Sequence, residues 1–145
     1  MAFKRVPQVF NCAINKVTIG TGDKAVTLGG ENVLPLYSFD APLANKVAIG
    51  FEITDSGVDT TLPELAKFFA GAETIAQIAK RASEVPGADF VVLYLQGADP
   101  NGENRSVEDC VAECKAVAEA TDMPLVIIGC KSLEKNATLF EKIAD

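Results

Sequence analysis

The residues best placed by type and spacing to do chemistry are those of "GADPNGENR", residues 97–105, which follow an apolar run and precede a helix signal. Two carboxylates, two amides and two glycines within nine residues offer hydrogen-bond donors and acceptors, with room for a ligand to approach the backbone closely. The same residues are ordinary turn chemistry, since Asp-Pro-Asn-Gly favours a tight reversal. Asp55 and Glu52 are a candidate carboxylate pair, but three positions apart on a strand they face opposite sides and do not make an acid–base couple. The chain has no histidine, which removes the commonest general base, imidazole-based triads and most zinc or non-haem iron sites.

The four cysteines, Cys12, Cys110, Cys114 and Cys130, contain no C-x-x-C spacing and are expected as free thiols without an iron–sulfur cluster. Cys110 and Cys114 stand four apart on an expected helix, within joint reach of a metal, yet both lie on an apolar stripe where cysteine acts as a small hydrophobe. Cys130 closes the strand-like "IIGC" and could reach the rim of a site, with core packing as the alternative. The glycines of "IGTGDKAVTLGG" match neither a phosphate loop nor a dinucleotide fingerprint and read as turn residues.

These groups need a scaffold, and the pattern of the chain supplies one. A hydrophobic share of 48%, 23% charged residues and a net charge of −7 fit a soluble domain and argue against nucleic-acid or anionic-membrane partners. No signal-peptide or membrane-length apolar run occurs, so a cytoplasmic location is expected. Residues 16–40 read as a hairpin turning near Gly22-Asp23, within an N-terminal extension assigned to 1–45. From 46 to 145 strand and helix alternate. "VAIGFEITD" is a strand apolar enough to be covered on both faces, and a short helix is expected from Pro63 to Phe69. Ile75, Ile78, Ala79, Ala82 and Val85 make one helical stripe stopped by Pro86-Gly87. "ADFVVLYLQ" is the second strand, and Ser106 with Asp109 resembles a capping box for a helix whose stripe is Val107, Cys110, Val111, Cys114, Val117 and Ala118. "MPLVIIGC" is the third strand, and "NATLFEKIAD" opens a helix with Leu139, Phe140 and Ile143 on one side.

This rhythm is that of α/β proteins built from parallel βαβ units, and it fits both a doubly wound sheet and a (β/α)8 TIM barrel. In either, ligands meet the C-terminal ends of the strands, where residues 97–105, "TDSGVD" and "GCKSLEKN" would gather. The last helix pattern reaches Asp145 without a capping residue, and three strands leave an unpaired edge. We therefore expect a partial TIM barrel of about three βα units, the first part of a longer barrel or a chain completed by another polypeptide.

On "YLQGADPNGENRSVEDCV", "MPLVIIGC" and "VTLGGENVLPLYSFD", from about Asn15 to Asp145, the chain resembles the small subunit of the corrinoid iron–sulfur protein, the delta subunit of acetyl-CoA decarbonylase/synthase. The resemblance implies the N-terminal half of a (β/α)8 barrel that is not itself catalytic. It also implies a cobalt corrinoid shared with a large subunit, which carries the iron–sulfur cluster. A methyl group would pass from methyltetrahydrofolate or methyltetrahydropterin to the corrinoid, and on to acetyl-CoA synthase in the reductive acetyl-CoA pathway. The methyltransferase and acetyl-CoA synthase would be transient partners. The absence of histidine agrees, because cobalt in this family has no protein imidazole beneath it. Gly97, Ala98, Asp99, Asn101 and Asn104 match the family's motif in a ligand-facing loop, with Asp55 and Cys130 on neighbouring strand ends; no residue is expected to ligate metal. The rivals are a pterin-dependent methyltransferase barrel and a structural fragment that dimerises through its open edges.

Overall fold

The computed structural model describes residue 4 and residues 6–33 and 40–144. Positions 34–39, which carry part of the expected hairpin stretch and of the third family motif, lie outside the described residues, as does Asp145. Strands β1 (Val17–Ile19) and β2 (Val26–Leu28) pair antiparallel, Val17 opposite Leu28 and Ile19 opposite Val26. A 3-10 turn at Gly22–Lys24 joins them, placing the reversal where the sequence predicts it.

The main sheet holds β3 (Gly50–Thr54), β4 (Phe90–Tyr94) and β5 (Leu125–Ile128). All three run parallel and lie side by side in sequence order, with Gly50 opposite Phe90 and Val91 opposite Leu125. Helices α1 (Pro63–Phe68), α2 (Ile75–Ser83), α3 (Val107–Ala120) and α4 (Leu133–Ala144) make the connections. The core lies between the helices and one sheet face: Ile53, Val91 and Leu93 pack there with Ile78, Ala79 and Ala82 of α2, Cys110, Cys114 and Val117 of α3, and Leu139 of α4. None of the described helices is long and apolar enough to cross a membrane.

Coverage of the sheet differs from expectation. The apolar strands read as buried on both faces, but among the described residues no helix covers the face carrying Glu52, Phe90, Val92, Tyr94, Val126 and Ile128, and Glu52 and Ile128 are exposed. Hydrophobicity along a strand records that a face needs cover, without saying what supplies it. The Phe90 ring lies directly over Gly50, where a Cβ would collide with it, so the missing side chain at 50 is what lets the ring lie flat on the strand. The first strand also starts later than its pattern predicts: Val47 and Ile49 precede it and are 52% and 59% exposed.

The local stop and start signals act as sequence chemistry dictates, with two adjustments. Ser106 Oγ accepts the Asp109 N–H at 3.0 Å, but the short Asp109 side chain returns to the Ser106 hydroxyl at 2.7 Å and not to its backbone, so the box is only half formed. The complete reciprocal box caps α2: Thr74 Oγ1 accepts the Gln77 N–H at 3.3 Å, and Gln77 Oε1 accepts the Thr74 N–H at 3.1 Å. Val85 falls beyond the end of α2, and Ala118 is exposed, so each expected stripe is shorter by one residue. The hairpin sits at the N-terminal ends of the sheet strands, where Gly20 meets the Pro124 ring, Asn45 Nδ2 donates to the Gly29 carbonyl at 2.6 Å and Lys46 pairs with Asp89.

All four cysteines are free, with Cys12 exposed and the others buried. Desolvation raises the thiols of Cys110 and Cys114, the latter to about 11, and the negative charges of Asp55 and Glu113 push the same way. A thiol that ionises later in the folded chain than in the unfolded one stabilises the fold fully below its unfolded value, and that contribution is lost as pH rises. The melting temperature should therefore fall between about pH 9 and pH 11, less steeply in Cys114→Ala than in the parent. Parallel slopes for the two proteins over that range would contradict this account of the core.

Candidate functional site

The C-terminal ends of β3, β4 and β5 meet at one end of the sheet, and their loops are tied together by buried polar contacts. Asp55, immediately after β3, has a fully buried carboxylate whose two oxygens accept the Gly97 N–H at 2.9 and 3.1 Å. The Asp55 N–H in turn donates to the Tyr94 carbonyl at 3.1 Å, extending the ladder one residue past the strand. Gly97 is glycine for want of space: a Cβ would lie 2.6 Å from Arg105 Cδ and 3.0 Å from Asp55 Oδ2 and Glu103 Oε2.

Arg105 closes the other side of the loop. Its backbone N–H donates to the Gly97 carbonyl at 2.9 Å, and its guanidinium makes a two-pronged pair with Glu113 of α3 at 2.9 and 2.6 Å. Nη1 also lies 3.7 Å from Asp55 Oδ2. The Glu113 hydrogen bonds, followed by the charges of Glu113 and Asp55, raise the Arg105 pKa further and hold it as a permanent cation. Lys135 of α4 adds a second clamp, its Nζ donating to Asn104 Oδ1 at 2.8 Å and to the Arg105 carbonyl at 2.6 Å. Asn104 adopts φ 51°, a left-handed conformation that asparagine tolerates better than most side chains.

Within the loop, Asp99 Oδ1 accepts the Asn101 N–H at 2.9 Å, while the Asp99 carbonyl accepts Gly102 and Asn104 N–H groups at 2.9 and 3.0 Å. The loop is thus pre-organised as a turn by its own side chains and still lines a concavity. That cup, about 310 Å³, is walled by Ser56, Tyr94, Gln96, Gly97, Asp99, Asn101, Gly102, Glu103 and Lys131.

The seven sequence-selected residues divide in their placement. Gly97, Asp99 and Asn101 line the cup. Asp55 lies beneath it as a support, Ala98 is fully buried in the core, and Asn104 is engaged by Lys135. Cys130 is 7% exposed and packed in the core cluster, with its N–H and thiol both donating to Asn136 Oδ1, at 2.9 and 3.3 Å. Gly102 and Glu103 of the cup and the clamp Arg105 lie within the 97–105 stretch that the sequence marks, whereas Ser56, Tyr94, Gln96 and Lys131 and the clamps Glu113 and Lys135 were not singled out individually from the sequence. Ser56, Gln96 and Lys131 each stand within three residues past a strand end, and that position was their available signal. Long-range pairs such as Asn104 with Lys135 leave none.

Chemically, the cup offers amide and hydroxyl donors and acceptors, one ammonium group and two carboxylates. It holds no thiol or hydroxyl nucleophile paired with a base. Among the described residues no group of three or more histidine, cysteine, aspartate or glutamate side chains is placed to hold a metal ion.

A parallel, sequentially ordered sheet with a polar cup at its strand ends defines an α/β protein. The sequence profile of the CO dehydrogenase/acetyl-CoA synthase delta subunit family matches residues 16–144, and the chain belongs to that family. It is 31% identical over 131 residues to the acetyl-CoA decarbonylase/synthase complex subunit delta of Archaeoglobus fulgidus, covering 87% of this chain and 28% of that protein. Identity to the corresponding subunit of Methanothermobacter thermautotrophicus is 29% over 134 residues, 91% of this chain and 34% of that one. The delta 1 subunit of Methanosarcina thermophila is 25% identical over 126 residues, 87% of this chain and 29% of its own length. The chain thus spans about a third or less of the length of these relatives.

The latch under the cup predicts a stability effect. Asp55→Ala strands the Gly97 N–H and deprives Arg105 of its second carboxylate, and should cost about 2–4 kcal/mol in urea unfolding, with faster proteolysis within 97–105. Asp55→Asn keeps one acceptor for Gly97 and should cost less. Wild-type stability in Asp55→Ala would contradict the assignment.

Proposed function

We propose that the chain forms part of a barrel subunit that helps bury and present a corrinoid methyl carrier within an acetyl-CoA decarbonylase/synthase complex. The observation that carries this reading is the family match across residues 16–144, joined to the position of the cup at the C-terminal ends of three parallel strands. The sequential order β3-β4-β5 fits the first units of a barrel and equally one half of a doubly wound sheet; the family resemblance is what favours the barrel.

The side chains of the cup suit such a ligand. A corrinoid carries amide groups around its ring, and Gln96, Asn101 and Ser56 can exchange hydrogen bonds with amides in both directions. A cup of about 310 Å³ admits the edge of so large a ring and not its whole face, which agrees with a cofactor shared with a second polypeptide. Bound there, the corrinoid would supply the methyl-transfer chemistry through its cobalt, while Gln96, Asn101, Lys131 and the pinned 97–105 loop orient its edge and limit solvent access. Asp55, Ala98, Asn104 and Cys130 act behind that surface by fixing the backbone that forms it.

In this proposal the lasting partner is a large corrinoid iron–sulfur subunit in the cytoplasm. A methyltransferase and acetyl-CoA synthase, which feed and drain the carrier, bind transiently. Methyltetrahydrofolate or methyltetrahydropterin is the methyl source, and the chain performs no bond-making step itself.

Tagged chain incubated anaerobically with an extract containing the complex should retain a cobalt-bearing polypeptide, measurable by metal analysis and corrinoid absorbance. An Asn101→Asp, Lys131→Glu double variant should retain about tenfold less while keeping its circular dichroism. A folded chain that retains no cobalt, or one that binds methyltetrahydrofolate tightly and stoichiometrically without a corrinoid protein, would overturn the proposal, the latter in favour of a methyltransferase.

A further inference from the structure

Lys131 reaches the cup from the loop between β5 and α4 without a tether of its own. Among the described residues its ammonium pairs with no carboxylate, so the backbone from which it springs is what places it. That backbone is held on both sides. Before it, Cys130 donates its N–H to Asn136 Oδ1 at 2.9 Å and accepts Asn136 Nδ2 on its carbonyl at 2.7 Å. After it, Ser132 starts α4, its hydroxyl accepting the Lys135 N–H at 3.3 Å and its carbonyl the Asn136 N–H at 3.0 Å.

Asn136 grips both backbone groups of one residue, which needs a side chain that accepts through one atom and donates through another. Gly129 leaves room for the grip, since a Cβ there would collide with the Asn136 amide. The preceding residue on the helix works on a different loop: Lys135 Nζ donates to Asn104 Oδ1 and to the Arg105 carbonyl. Two adjacent residues in the first turn of α4 therefore hold two walls of the cup, Asn136 the Lys131 wall and Lys135 the 97–105 wall.

We propose that Asn136 is a positioning residue of the cup, which acts through the Cys130 backbone to aim Lys131 at the ligand. With Lys135 beside it, the first turn of α4 sets where Lys131 stands relative to the 97–105 loop. This inference rests on the reading of the cup as the surface that meets a corrinoid-bearing partner. The geometry behind it can be measured without that partner.

Nuclear magnetic relaxation of the free chain makes that measurement. The backbone order parameter of Lys131 should be about 0.85 in the parent and below about 0.6 in Asn136→Asp, with residues 97–105 unchanged. That variant keeps an acceptor for the Cys130 N–H but sets a second oxygen against the Cys130 carbonyl. Lys135→Met should loosen 97–105 and leave Lys131 ordered. Asn136→Ala, which loses both bonds without adding charge, should repeat the loss of order at Lys131 and serves where Asn136→Asp does not fold. Retention of cobalt from the extract then links the geometry to the site. Asn136→Asp and Lys131→Met should each lower it about fivefold, and the double variant no further than either alone, because one residue acts through the other. An Asn136 variant that is folded by circular dichroism and keeps Lys131 fully ordered overturns the proposal, and so do losses that multiply in the double variant. A parent chain that retains no cobalt overturns the corrinoid reading instead, and the relaxation result then decides the role of Asn136 by itself.

Discussion

A carboxylate with no access to water holds the functional end of this molecule together. Asp55 leaves β3 and receives the Gly97 N–H on both of its oxygens, so the loop after β4 cannot move without exposing or stranding a buried charge. Arg105, drawn toward the same carboxylate and fastened to Glu113, brings the far end of that loop back to Gly97 and ties it to α3. Lys135 extends the chain of contacts to α4. One network thus spans the ends of two strands and the starts of two helices, and the cup is the surface it leaves.

This arrangement lets a loop rich in turn-forming residues also line a polar concavity. Asp99 spends much of its hydrogen-bonding capacity on the loop itself and Asn104 is held by Lys135 of α4, and together these contacts give the loop one shape. Ser56, Gln96 and Lys131 stand around it at the strand ends.

Much of the fold was legible in the sequence because its signals are local. Apolar strands, helical stripes from Ile75 and Val107, the Ser106 cap and the Gly22 turn all act within a few residues, and the parallel order follows from their alternation. What lies across the sheet was not legible, since Phe90 and Val92 are equally apolar whether a helix, another strand or a second chain covers them. The site was half legible for the same reason. Position after a strand end marked Gly97, Asp99 and Asn101, whereas the roles of Asp55, Arg105 and Lys135 depend on contacts 42, 8 and 30 residues away in sequence. Cys130 stood at the right height on its strand, but a thiol there finds a better partner in Asn136 than in the cup.

The central claim is that the Asp55 carboxylate grips the Gly97 amide, and nuclear magnetic resonance reads that bond directly. The account predicts a scalar coupling between the Gly97 nitrogen and the Asp55 carboxylate carbon, with hydrogen exchange at Gly97 far slower than at exposed Asn101. A Gly97 amide that shows no coupling and exchanges as fast as Asn101 would contradict it.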